Sequence, residues 1–221
     1  MTEQEWETST NVNNVLMFLS SIVSGRKLRL FACGCCRQKP GLLHDSESRE
    51  AIEVAERFAD GIERNETRSR TRRAARVRGS LAKSDYEAAS IAYWILAYSG
   101  RVAAKSTSSD LIHFTKRLKD PRVGLSWKSR ARAEELAQIQ LLRDIVGNPF
   151  RTVTFDPRWR SSTVTALAGV IYEERTFEDL PILTDALEEA GCNHQGILRH
   201  CRSEGPHVRG CWVIDLILER D

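Results

Sequence analysis

The side chains best suited to chemistry lie near the C-terminal end of the chain. Six thiols and imidazoles fall within 20 residues there: Cys192, His194, His200, Cys201, His207 and Cys211. Thiolate and imidazole are the ligands that structural zinc sites use most. On a helix, the spacing of four between His207 and Cys211 would place both side chains on one face. The sequence therefore offers a candidate structural zinc site, formed by Cys192, Cys201, His207 and Cys211.

The alternative interpretation is that these cysteines are small buried hydrophobic residues and that the histidines lie at the surface or cap helices. Eight residues separate Cys192 from Cys201, whereas the first ligand pair of a zinc finger is usually separated by two to four. On this interpretation the chain needs no cofactor. Both interpretations stay open at this point.

A second cysteine cluster, Cys33, Cys35 and Cys36, contains a formal CxxC spacing. A thioredoxin-like redox motif follows a strand and opens a helix, where the helix dipole lowers the thiol pKa. Here the motif falls near the end of a predicted helix, and Cys35 shares an apolar face with Leu28 and Phe31. We therefore expect core packing rather than redox chemistry.

Arginines recur every four residues in the middle of the chain, at Arg64, Arg68, Arg72 and Arg76. On a helix they would form one slowly drifting stripe, widened by Arg70, Arg73, Arg78 and Lys83. Such a stripe could neutralise several phosphates or contact an acidic partner. No aromatic residue interleaves with it to stack on bases. The alternative is a solvated helix face.

Catalytic signatures are missing from the sequence. It contains no GxGxxG, GxxxxGK[ST], HExxH or GxSxG motif. One carboxylate, Asp215, stands inside the apolar run Trp212-Val-Ile-Asp-Leu-Ile217. Burying a carboxylate is costly without a partner, so we expect Asp215 to take part in a structural ion pair.

The elements that must position these residues are helices. Apolar residues recur at spacings of three and four along nearly the whole chain, which predicts an all-α, bundle-like protein of about nine to eleven helices with little or no sheet. The helical spacing is interrupted most clearly at Gly147-Asn-Pro-Phe150, where Gly147 is placed to end a helix. We therefore expect an N-terminal helical lobe over 1–146 with a basic middle segment, and a compact C-terminal lobe over 147–221. The predicted helices of that second lobe are 163–174, 181–190, 195–202 and 207–219.

Composition narrows the class of protein. The 221 residues are 41% hydrophobic and 29% charged, with a net charge of +3, which excludes an intrinsically disordered chain. No apolar run approaches the roughly 18 residues of a membrane span, and the acidic N-terminus resembles no secretory signal. We expect a cytoplasmic protein. Its charge is uneven, since residues 64–132 carry 17 basic and 5 acidic side chains.

Five blocks of the sequence resemble a large paralogous family of uncharacterised bacterial proteins. They are residues 27–37 (KLRLFACGCCR), 51–61, 141–150 (LLRDIVGNPF), 183–192 and 207–217 (HVRGCWVIDLI). The resemblance extends over the whole chain and implies a bacterial cytoplasmic protein of a kind that occurs in many copies per genome. The family brings no established activity, ligand or catalytic residue with it.

These observations favour a non-enzymatic soluble interaction or adaptor module whose protein partner the sequence does not identify. Two alternatives rest on particular residues. One is a nucleic-acid-associated protein that uses the stripe from Arg64 to Arg76, and the other is a zinc-stabilised helical domain. A membrane partner is not expected.

Overall fold

The computed structural model describes residues 1–39, 41, 45–81, 86–117 and 126–221. Within these ranges the chain forms twelve α-helices, eleven of them seven residues or longer, and no strand. The prediction of an all-α, bundle-like fold is confirmed. The helices are α1 Glu3–Thr8, α2 Val12–Leu19, α3 Gly25–Arg37, α4 Ser46–Ala59, α5 Asn65–Leu81, α6 Tyr86–Ile95, α7 Gly100–Arg117, α8 Trp127–Val146, α9 Ser162–Glu174, α10 Leu180–Glu189, α11 Gln195–Cys201 and α12 Trp212–Leu218.

The chain divides into two compact units, Met1–Ile139 (unit one) and Gln140–Asp221 (unit two). Helix α8 supplies residues to both, since the division falls within it. The boundary predicted from the sequence, between 146 and 147, lies at the end of the same helix. There α8 stops as expected, because Gly147 takes a left-handed conformation with φ of 70° that most other residues avoid.

Unit one is built around helix α3, which packs along α7 and also contacts α4 and α6. Its apolar face, with Leu28 and Phe31, is fully buried. A very close backbone approach fixes the α3–α7 crossing. A Cβ atom added to Gly100 would stand 2.0 Å from the carbonyl oxygen of Gly25, so only a glycine fits at that position of α7.

Helix α7 contains a run of residues whose types favour a turn. The run Ser106-Thr-Ser-Ser109 has the composition of a turn, but it lies in the middle of this 18-residue helix. The hydroxyl of Ser108 donates to the Gln138 side-chain oxygen at 2.5 Å, and both residues are buried. A side-chain partner inside the unit therefore satisfies a group that would otherwise favour a turn.

Unit two packs α9 against α10 and α12, and α11 against α10 and α12. Its core contains Val164, Ile171, Leu183, Ile197 and Ile214, each at most 1% exposed. The helices predicted over 163–174, 181–190 and 195–202 are found within one residue of those bounds. The sequence pattern predicts extended chain over 151–159. In the structure residues 151–156 pair with no strand of the described ranges, and Pro157–Trp159 forms a 3₁₀ turn.

The helix predicted over 207–219 begins later, at Trp212. Gly210 has a φ of 91°, and the backbone N–H of Cys211 donates to the carbonyl of Val208 in a turn. His207 and Cys211 therefore do not project from one helix face, as their spacing suggested. They lie instead in the irregular segment between α11 and α12.

Among the helices of the described ranges, none combines the length and the apolar character that crossing a bilayer requires.

Candidate metal centre

Four potential ligands of a metal ion converge in unit two: Asp144, His200, His207 and Cys211 (the four-donor group). One donor atom from each lies within 4.8 Å of the donor atoms of the other three. Asp144 comes from the last turn of α8 and His200 from α11, while His207 and Cys211 come from the segment that follows. The group joins positions up to 67 residues apart in the sequence.

Asp144 stands at the centre of the group. Its Oδ1 atom lies 2.6 Å from Nδ1 of His207 and 3.3 Å from Nε2 of His200. That same Nε2 atom lies 3.1 Å from the sulfur of Cys211. The carboxylate is only 5% exposed, so its charge must be balanced by these neighbours rather than by water.

Outer contacts hold the donors in place. The backbone N–H of Val208 donates to Oδ2 of Asp144 at 3.1 Å, which leaves Oδ1 directed at the two histidines. Nε2 of His207 lies 3.1 Å from the carbonyl oxygen of Ser203. A ring N–H donated to a backbone carbonyl is the usual second contact of a histidine that binds a metal through its other nitrogen.

Proton positions within the four-donor group favour a cation. If Nε2 of His207 donates to Ser203, the neutral ring has only a lone pair on Nδ1 to direct at Asp144. One proton on Nε2 of His200 cannot lie in line with both Asp144 and Cys211. A second proton on His207 or a metal ion resolves the first conflict. The second needs no cation, because the Cys211 sulfur is only a weak acceptor and the His200 proton can be donated to Asp144 alone.

The close packing of the four-donor group shifts the pKa values of three of its members. Burial alone would raise the pKa of Asp144, but the hydrogen bonds and charges of His200 and His207 lower it below its ordinary value. Burial alone would lower the pKa of His207, yet the hydrogen bond and charge of Asp144 raise it. Burial, with the charge of Asp144, raises the pKa of the Cys211 thiol well above its ordinary value. The thiol is therefore a poor nucleophile unless a metal ion displaces its proton.

One side of the group faces an open pocket of about 420 Å³. Asp144, His200 and His207 line it, as do Arg143 and Ser203, whereas Cys211 is fully buried behind them. A metal ion could enter from this side. Trp212 packs against His200 with ring centroids 5.2 Å apart, and so helps to fix the orientation of that ring.

The structure brings together two of the four predicted zinc ligands, His207 and Cys211. Cys192 and Cys201 are not members of the four-donor group and lie in the apolar core of unit two, 4% and 0% exposed. Burial raises the pKa of Cys201 to about 12. For these two cysteines the alternative interpretation, small buried hydrophobic residues, describes their surroundings.

Sequence reasoning missed Asp144 and left His200 out of the ligand set. One signal was available for Asp144, because it is a carboxylate inside the apolar run Leu141-Leu-Arg-Asp-Ile-Val146. The same argument was applied only to Asp215, which is 2% exposed in α12 and lies outside the group. His194 caps α11, since its Nδ1 atom accepts the N–H of Ile197 at 3.3 Å.

The first cysteine cluster lies inside α3. Cys33, Cys35 and Cys36 are at most 1% exposed, and burial raises the pKa of each thiol. These surroundings match the expected core packing. Arg29, Arg37 and Lys39 lie near enough to oppose the rise in pKa, but burial outweighs them, and the thiols lack the accessible environment of a reactive cysteine.

The four arginines of the predicted stripe divide into two pairs. Arg64 and Arg76 are exposed. Arg68 is 4% exposed and donates to the carbonyl oxygen of Leu96, while Arg72 donates to that of Tyr93 at 3.2 Å. Lys83, named with them, lies outside the described residues.

Comparison of the chain with protein-family models, with curated proteins and with solved structures finds no match.

Proposed function

We propose that this protein is a zinc-binding helical protein in which one Zn²⁺ ion, held by the four-donor group, stabilises unit two. The observation that carries the proposal is the convergence of a carboxylate, two imidazoles and a thiol within 4.8 Å. A mixed set of nitrogen, sulfur and oxygen donors suits zinc, whereas magnesium and calcium prefer oxygen alone.

A tetrahedral ion would need small changes in the distances between the donor atoms. Zinc bonds of about 2.0–2.3 Å at tetrahedral angles separate neighbouring donor atoms by about 3.3–3.6 Å. The His200–Asp144 distance of 3.3 Å fits this range. The His200–Cys211 distance of 3.1 Å is about 0.5 Å shorter than a nitrogen–sulfur pair on zinc requires, so it would have to lengthen when the ion binds. The Asp144–His207 distance of 2.6 Å would have to open as the ion replaces a proton.

Four protein donors complete a tetrahedral shell, which is typical of structural zinc rather than of catalytic zinc with an open position. The ion would then hold α8, α11 and the start of α12 together within unit two. We infer that the protein is a non-enzymatic interaction module whose second unit depends on this ion.

Zinc content of paired cysteine variants tests the proposal. The untagged protein, purified without chelator, should carry one zinc ion per chain in native mass spectrometry. Cys211→Ala should lose the ion, whereas Cys201→Ala should keep it. Both cysteines are fully buried in unit two, so the two variants leave cavities of similar size. An ion retained by Cys211→Ala, or no zinc binding by the wild-type protein in a chelator-competition titration, would refute the proposed site.

Two histidine variants distinguish zinc binding at the four-donor group from binding by any histidine of the chain. His207→Gln should abolish zinc binding, and His113→Gln, at an exposed position of unit one, should leave it unchanged.

A further inference from the structure

Helix α5 of unit one carries a concentration of positive charge that the zinc site does not explain. Its sequence, NETRSRTRRAARVRGSL, contains six arginines and a single carboxylate, Glu66. Three of the arginines, Arg68, Arg72 and Arg78, point inward. The first two donate to backbone carbonyls, and Arg78 forms an ion pair with Asp45 at 2.6 Å.

The remaining arginines of α5 point to solvent. Arg70, Arg73 and Arg76 are exposed, as is Arg64 immediately before the helix (together, the arginine face). None of these four guanidinium groups forms an ion pair with a carboxylate among the described residues. The accessible charge of α5 itself therefore lies at Arg70, Arg73 and Arg76, on the side away from Arg68, while Arg64 adds a guanidinium at the N-terminal end of the helix.

The less exposed charged side chains near the arginine face are also positive. Arg68 and Arg72, together with Arg29 of α3, surround the C-terminal end of α6, where Arg29 donates to the carbonyls of Ile95 and Tyr98. Within the described residues no carboxylate pairs with these three arginines. Burial and the neighbouring guanidinium groups lower the pKa of Arg29 to about 10. The positive charge of these inner arginines is therefore offset only by the carbonyl groups at the end of α6 and by no carboxylate of the described residues.

The chemistry of the arginine face indicates the kind of partner. Val77 is the only large apolar residue exposed on the described part of α5. Protein interfaces usually bury aromatic or aliphatic anchors at their centre, and a membrane-bound helix needs an apolar face. A surface of guanidinium groups without such anchors fits a row of phosphates. From Arg64 to Arg76 it extends about 18 Å along the helix axis, enough to reach several backbone phosphates.

We propose that the arginine face binds the sugar–phosphate backbone of nucleic acid without base-specific contacts. The inference is independent of zinc, because every residue that carries it belongs to unit one. Affinity should be modest, in the roughly 10⁻⁴–10⁻⁶ M range of non-specific binding, and should depend strongly on salt.

The test is fluorescence anisotropy of the 221-residue protein, as purified, with a short labelled DNA duplex of mixed sequence, titrated between about 50 and 200 mM NaCl. If four phosphates are neutralised, log K should fall with log salt at a slope of about −3.6. The triple variant Arg70→Gln, Arg73→Gln, Arg76→Gln should bind at least tenfold more weakly, with a slope nearer −1. Glutamine resembles arginine in helix propensity, so α5 should stay folded.

A charge-matched control removes three exposed arginines of unit two, as Arg158→Gln, Arg199→Gln, Arg202→Gln. This variant should bind the duplex like the wild-type protein. Equal binding by both triple variants, or no salt-dependent binding by the wild-type protein, would overturn the proposal. Polyglutamate and anionic lipid vesicles serve as competing probes. If either competes as well as unlabelled DNA at equal charge, the face recognises an acidic protein or a membrane instead, and the nucleic-acid proposal fails.

Discussion

Gly147 has two independent reasons to be glycine. Its φ of 70° lies in the left-handed region, and a Cβ atom at this position would stand 3.1 Å from the indole ring of Trp212. That indole packs on His200 of the four-donor group. The end of α8 and the orientation of a candidate metal ligand are thus connected through one aromatic side chain.

Gly147→Ala should destabilise unit two by about 2–3 kcal/mol, since left-handed strain and a displaced indole both contribute. Gly191→Ala is the matched control, because Gly191 has a φ of 86° but open space around it. It should cost only about 1 kcal/mol. Urea denaturation measures both, and equal losses would show that the indole contact is immaterial.

Asp45 makes the stability of unit one dependent on pH. Its carboxylate accepts hydrogen bonds from Arg78 at 2.6 and 2.8 Å and caps α4 through the N–H of Ser48. Burial alone would raise the pKa of Asp45, but these bonds hold it well below its usual range. The stabilisation is therefore complete above the unfolded-state pKa of about 3.9 and is lost as the pH falls towards the folded-state value.

Asp45→Asn keeps a good N-cap residue and removes the charge. We expect it to lower the free energy of unfolding at pH 7, and the difference from wild type to shrink steadily below about pH 4. Urea midpoints across this pH range provide the measurement. A difference that stays constant with pH would mean that the ion pair contributes nothing.

At the scale of elements, most helices follow from the sequence because their signals are local. Spacings of three and four, together with N-caps such as Ser161 of α9, depend only on nearby residues. The four-donor group depends on tertiary contacts, since α8, α11 and an irregular segment each supply part of it. Spacing along the chain could therefore suggest His207 and Cys211 as a pair, but it could not place Asp144 beside them.

One glycine of each helix lies at the α3–α7 crossing, but only Gly100 is required there, so the same substitution should affect the two differently. Gly100→Ala forces α7 away from the Gly25 carbonyl and should cost about 3 kcal/mol. In Gly25→Ala the added Cβ meets nothing within 4 Å. That variant should be unchanged or stabilised by up to about 1 kcal/mol, because alanine restricts the unfolded chain. Thermal unfolding of the two variants compares them, and losses of similar size would contradict the crossing geometry.

The contact between α5 and α6 includes a hydrogen bond from a buried arginine of α5 to the chain at the end of α6. Arg68→Met removes the guanidinium that donates to the Leu96 carbonyl and should destabilise unit one by about 2 kcal/mol. Arg70→Met, at an exposed position two residues later, should change stability by less than about 0.5 kcal/mol. Denaturant titrations would show whether the buried arginine is structural, and equal effects would argue against it.

For the whole molecule, zinc removal should act on one unit only. Ligand that binds the folded state alone stabilises it in proportion to the logarithm of its concentration over Kd. A chelator should therefore speed amide hydrogen exchange across residues 140–221 and leave the amides of residues 1–139 unchanged. The first unit is the internal control, and uniform acceleration in both units would count against a zinc site confined to the second.

The six cysteines can report how often each unit opens, because three of them lie in each unit. Cys33, Cys35 and Cys36 belong to unit one, Cys192, Cys201 and Cys211 belong to unit two, and all six are buried free thiols. A thiol reagent can reach them only when the surrounding helices separate. The pattern of modified peptides after a brief exposure would thus record how often each unit opens, without any engineered label. Saturating zinc should lower the rate of cysteine modification in unit two and leave the rate in unit one unchanged.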